Sequence, residues 1–137
     1  MNHQAQTFGN CVNASLAIVL GYFDHWVTQE EVAWIPDSSG RTGAYLRQFE
    51  LTTQEYLFPP SVDPIRYILA NEIPIIAGQP LYVDSDIWHY RVIHGYDDSA
   101  GEFIVDDSLL GADYRISYAT FFTLSHPSGV FFSHLLP

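Results

Sequence analysis

Lysine is missing from the 137 residues, and cysteine occurs once, at Cys11. The basic residues are all arginine (Arg41, Arg47, Arg66, Arg91 and Arg115), five against 16 acidic ones, for a formal net charge of −11. A chain this anionic repels phosphate backbones and anionic lipid surfaces, which excludes nucleic acid and membrane headgroups as partners. One thiol forms no internal disulfide and builds no cysteine-based zinc site. The longest apolar stretch, Ala14–Phe23, is interrupted by Ser15 and Gly21. It falls short of the ~20 residues that cross a bilayer. No basic residue precedes it, so the N-terminal segment lacks the positive start of a secretory signal. The expectation is a cytoplasmic protein with no membrane segment, export by a signal-independent route remaining open.

Apolar material is plentiful, at 47% hydrophobic and 15% aromatic residues. That is enough for one folded domain over residues 1–137. The pattern predicts a helix from Cys11 to roughly Trp26, apolar all round and therefore central, with Asn10 as N-cap. Thr28-Gln29-Glu30-Glu31 fits a capping box before a second helix ending near Trp34. Further helices are expected over Thr42–Phe49 and Ser61–Asn71. After Asn71 the period changes. Strands are expected at Ile73–Gly78, His89–Tyr96, Glu102–Val105, Tyr114–Ser117 and Val130–Leu135, with a helical turn around Tyr118–Leu124. Asp97–Gly101 reads as a hairpin connection. The fold class is α+β: a helical N-terminal half with a central helix starting at the cysteine, packed on a C-terminal antiparallel sheet.

A cysteine at a helix N-terminus meets unpaired N–H groups and the positive end of the dipole, and both favour the thiolate. A lone cysteine in an apolar helix also packs simply as a small hydrophobe. A thiolate nucleophile needs a base, usually histidine, and a group that orients the base. His3, His25, His89, His94, His126 and His134 are the candidates. His89 and His94, five apart on one strand, face opposite ways. Asp106 and Asp107 end the strand that pairs with the His89 strand, which brings one of them beside His89. Oxyanion donors would be the Cys11 N–H and an upstream amide, Gln4 or Gln6. Asp84, Asp86, Asp97 and Asp98 are too scattered for an oxygen-rich calcium loop, so no metal or cofactor is expected.

Gln4/Gln6 followed by Asn10-Cys11-Val12-Asn13-Ala14-Ser15-Leu16-Ala17 resembles the opening of the C39 and C39-like papain-fold cysteine peptidases. His89-Tyr90-Arg91-Val92-Ile93-His94-Gly95-Tyr96-Asp97 is similar to that family's histidine strand. Phe103-Ile104-Val105-Asp106-Asp107-Ser108-Leu109-Leu110-Gly111 resembles its third motif, and the match falls on Asp107. The chain departs from the pattern at three points. Val12 stands where glycine is usual and Ser108 where proline is usual. The glutamines lie five and seven residues before the cysteine rather than six.

The resemblance implies a papain-like fold and a Cys11–His89–Asp107 triad, with Gln6, or alternatively Gln4, in the oxyanion hole. The implied activity is cleavage of peptide bonds through a thioester acyl-enzyme, with a peptide or protein as partner. In the best-known branch the bonds follow paired small residues in leader peptides, and the domain is fused to a membrane exporter. Three alternatives reuse the fold: a deamidase, a transglutaminase or acyltransferase, and a catalytically inactive binding module. The net charge, with Asp84 and Asp86 ahead of the histidine strand, favours cationic or neutral peptides. The absence of lysine removes side-chain amines as acyl acceptors and prefers none of these outcomes.

Overall fold

Residues 11–22 carry no charged side chain, and a helix without a polar face is stable only inside a protein. The computed structural model describes residues 11–28, 31, 46–58, 61–82, 84–85, 88–124 and 130–136. For 11–14, 52–58, 88 and 130–136 it describes the backbone alone. Helix α1, Cys11–Tyr22, buries every residue from Ser15 to Gly21. It stops four residues before the expected end. Asp24 takes a left-handed conformation (φ 65°), the His25 N–H bonds the Leu20 carbonyl and the Asp24 N–H bonds that of Gly21. This pair of contacts closes a helix C-terminus. Glu50, with φ 59°, ends the turn at Leu46–Arg47 in the same way. The Glu31 N–H donates to Thr28 Oγ1 at 3.2 Å, half of the expected capping box.

Strand β1, Thr52–Phe58, lies within the half that reads as helical. Its register is held by β6, Val130–Leu136, nearly 80 residues away, from Thr52 opposite Leu136 to Phe58 opposite Val130. A local period carries no trace of such a partner. Helix α2, Val62–Ala70, follows with Ile65, Ile68 and Leu69 on its buried stripe. Pro74 supplies no N–H, and strand β2 begins just after it, Ile75–Pro80.

Strands β3 (Trp88–Asp97), β4 (Glu102–Asp107) and β5 (Gly111–Ser117) form a meander, and helix α3 (Tyr118–Leu124) leads back towards β6. The β3–β4 turn is held by Asp97 Oδ1, which accepts the Ser99 and Ala100 N–H groups, and by Gly101 at φ +68°. All pairings are antiparallel, in the spatial order β1-β6-β2-β3-β4-β5.

The sheet is the middle layer of an α+β fold. Ile75, Ala77, Ile93, Phe103 and Val105 face α2 and α3, while Ile76 and Val92 face α1. Phe103 meets Tyr118, Phe121 and Phe122 at ring centroid distances of 4.6–6.2 Å, in tilted and edge-on contacts. Each fully buried aliphatic or aromatic side chain in these clusters contributes about 1.5–3 kcal/mol. Core on both faces leaves polar chemistry the ends of the strands.

Candidate active site

On β3 the side chains alternate. Val92 goes to α1, so Ile93, Arg91 and His89 go to the other face, the first into the core and the other two towards the strand's start. Val92 lies opposite Asp106 and Ile93 opposite Val105, and continuing that register sets Asp107 across from Arg91. The structure brings His89 and Asp107 together: Nε2 lies 2.9 Å from Oδ1, with His89 2% and Asp107 0% exposed. Asp106 is equally buried but belongs to the opposite face, level with Val92. His94 also lies away from the pair, at a β-bulge, with Nε2 3.1 Å from Asp113 Oδ1. Burial pushes the His94 pKa down, against the pull of Asp113 and Asp106.

Two neighbours escaped the sequence reading. Arg91 Nε donates to Asp107 Oδ2 at 3.1 Å, Nη1 to Gln79 Oε1 at 2.9 Å and Nη2 to the Leu81 carbonyl at 3.0 Å. Gln79 Nε2 in turn donates to the Phe121 carbonyl at 2.8 Å. Arg91 is 1% and Gln79 0% exposed. The available signal was parity: Arg91 stands two residues after His89 and therefore shares its face.

Asp107 is the most heavily bonded group in the site. Oδ1 also accepts the N–H groups of Leu109 (2.9 Å) and Leu110 (3.0 Å). Burial pushes its pKa up, but the hydrogen bond and charge of His89 and these two N–H groups outweigh that, holding it at about 2 against an ordinary 3.8. A carboxylate depressed in the folded state stabilises the fold above its unfolded pKa. That contribution is lost as pH falls from about 4 through about 2. For this buried group it amounts to roughly 2 kcal/mol. Urea midpoints measured from pH 5 to pH 2 are therefore expected to fall steeply below pH 4. In Asp107→Asn the fall should be visibly shallower, and equal slopes would contradict this assignment.

Cys11 is the first residue of α1, and its side chain lies outside the described residues, as do Gln4 and Gln6. The helix is tied to the histidine strand by Ser15, whose Oγ donates to the Tyr90 carbonyl at 3.3 Å. Cys11 stands about one helical turn before Ser15, whose hydroxyl bonds the carbonyl of the residue next to His89. The chemical content is a helix N-terminus carrying the chain's one thiol, beside a strand bearing a carboxylate-held imidazole.

Of the other acids, Asp86 lies outside the described residues and Asp84 is exposed. Asp98 accepts from Arg66 and from the Tyr118 hydroxyl, and Asp97 pairs with Arg115. Among the described residues no three potential metal ligands cluster. Beside the site an apolar cavity of about 550 Å³ opens between Leu81, Tyr82, Leu109, Leu110 and Tyr114, with Arg91 in its wall. No described helix is long and apolar enough to cross a membrane.

A sheet of this topology with a cysteine-headed helix on one face is the architecture of C39-type peptidase domains. The model of the Peptidase_C39 like family matches residues 1–125, and the chain belongs to that family. Solved structures share the fold across essentially the whole chain. A double glycine motif protease from an AMS/PCAT transporter, in complex with the leader peptide, is 19% identical. Its TM-score is 0.68, and the match covers 100% of this chain and 90% of that one. A protein described as a C39-like peptidase from Bacillus anthracis is 12% identical, with TM-score 0.72 and coverage of 100% and 94%. The peptidase domain of Streptococcus ComA, a bi-functional ABC transporter of a quorum sensing pathway, is 13% identical, with TM-score 0.68 and coverage of 98% and 96%. No curated protein matches the chain.

Proposed function

We propose that the protein is a papain-like thiol hydrolase that cleaves peptide bonds with Cys11, His89 and Asp107, as a single domain over residues 1–137. The observation that carries the reading is the buried His89–Asp107 hydrogen bond on the strand tied to the helix that Cys11 begins. Nε2 is committed to Asp107, so proton transfer falls to Nδ1. The Cys11 thiolate, paired with the imidazolium, attacks the amide carbonyl. The Cys11 N–H and Gln6, or Gln4, bind the oxyanion. The imidazolium gives its proton to the leaving amine and a thioester remains. His89 then takes a proton from water, which adds to the thioester and releases the acid and the thiol. Asp107 stays ionised throughout, in keeping with its low pKa.

The bound leader peptide of the AMS/PCAT protease supports a peptide substrate here. The apolar cavity beside Asp107 suits an uncharged side chain, and the charge of −11 favours a peptide that is otherwise basic. A peptide carrying an electrophilic warhead is expected to add once to Cys11, by intact mass, at pH 5 to 6. Cys11→Ala should show no adduct. A thiol that reacts only near its ordinary pKa of ~8.5 would remove the activated pair and leave a binding module. Masses of incubated peptides separate the outcomes, since cleavage gives two fragments and deamidation of glutamine gives a gain of ~1 Da.

A further inference from the structure

Arg91 has no part in the reaction above, yet its placement is costly. A fully buried guanidinium survives only with its charge countered and its donors bonded. Here three donors reach acceptors on two segments: Asp107 on β4, and Gln79 at the end of β2 with the Leu81 carbonyl just after it. Gln79 is itself fixed to α3 through the Phe121 carbonyl. The group therefore has one orientation, set by β4, the end of β2 and, through Gln79, α3. Asp107 divides its oxygens accordingly, Oδ1 to His89 and the Leu109 and Leu110 N–H groups, Oδ2 to Arg91. With Oδ2 anchored, the carboxylate cannot rotate to exchange its oxygens, and the imidazole keeps one tautomer.

We infer that Arg91 is a positioning residue for the His89–Asp107 pair, one that locks the carboxylate and fixes a permanent positive charge beside it. The electrostatic consequence follows from counting charges. With Arg91 the buried Asp107–Arg91 pair is neutral, and the Cys11–His89 ion pair adds nothing to the total. Without it the same cluster carries one net negative charge in its active form. The groups on this face are His89 and Arg91 from β3, Asp107 from β4, Tyr114 from β5 and Tyr82 before β3. Asp106, His94 and Asp113 belong to the other face. A cation in the cluster favours the anionic form of every group near it, so it draws both limbs of a bell-shaped pH profile towards acid.

The test compares Arg91→Met and Arg91→Lys with the parent chain in three measurements. These are the NMR titration of the His89 ring, the pH dependence of Cys11 alkylation by iodoacetamide, and kcat and KM. Arg91→Met is expected to raise both apparent pKa values by about one pH unit or more. It should lower kcat about 10²-fold through a misplaced imidazole, with KM little changed. Arg91→Lys keeps the charge but not the three-point grip. It is expected to restore the pH profile while recovering only part of kcat. A folded Arg91→Met with unmoved titrations would overturn the inference, and so would failure of both variants to fold, which marks Arg91 as structural alone. The catalytic half rests on the thiol-hydrolase reading, but the His89 titration does not. If parent Cys11 alkylates only as an ordinary thiol, that reading fails while the ring titration still decides the role of Arg91.

Discussion

Replacing His89 with glutamine is expected to lower kcat/KM by about 10⁴-fold or more, with little loss of secondary structure. The glutamine amide can still donate to Asp107, so the bond to Oδ1 and the burial of the site are largely retained. What it cannot do is accept a proton from a thiol and return it to a leaving amine. The loss therefore belongs to the chemistry. A second measurement separates it further: alkylation of Cys11 should move from mildly acidic pH to that of an ordinary thiol, because the imidazolium that holds the thiolate is gone. His94→Gln is the control. Its ring is held by Asp113 on the other side of β3, and the expected change in kcat/KM is less than threefold. A loss of under tenfold in His89→Gln would sink the triad.

The contrast between these two histidines was legible in the sequence, since five residues on one strand means opposite faces. Strand pairing alone left Asp106 and Asp107 open, and the resemblance to the family's third motif pointed to Asp107. Local chemistry also marked the hairpin at Asp97–Gly101 and the buried stripe of α2. Features that depend on distant partners stayed hidden. Strand β1 is threonine- and aromatic-rich, but only β6 makes it a strand, and helix α1 ends at Tyr22 through a left-handed aspartate that no periodicity announces. Arg91 was hidden for a related reason. An arginine between apolar residues reads as one more surface cation until its acceptors appear, and these come from Asp107, Gln79 and Leu81, parts of the chain that only the sheet assembles. Its parity with His89 is visible in the sequence. The meaning of that parity required the partners.

Asp107→Ala is expected to be the most destabilising single change in the site, by about 3–5 kcal/mol. Three losses coincide. The Arg91 guanidinium, 1% exposed, keeps Gln79 and Leu81 as acceptors but loses its counter-charge. The Leu109 and Leu110 N–H groups lose a carboxylate that accepted both. His89, 2% exposed, loses the partner of its Nε2. Against a total stability of roughly 5–15 kcal/mol, this removes a large fraction of the fold. Breaking one half of a buried ion pair costs more than removing both halves, because the unpaired charge, not the missing bond, carries most of the penalty. Adding Arg91→Met to Asp107→Ala should therefore recover about 2 kcal/mol or more of the loss, read as a rise in the urea midpoint. Activity should not return with it, since the imidazole has lost the group that orients it. Recovery of stability without recovery of turnover would assign the two side-chain partners of Asp107 separate parts: Arg91 answers for the buried charge and His89 for the chemistry. If the double variant is no more stable than Asp107→Ala alone, the guanidinium is not a buried charge that needs this carboxylate, and the electrostatic account of the site fails with it.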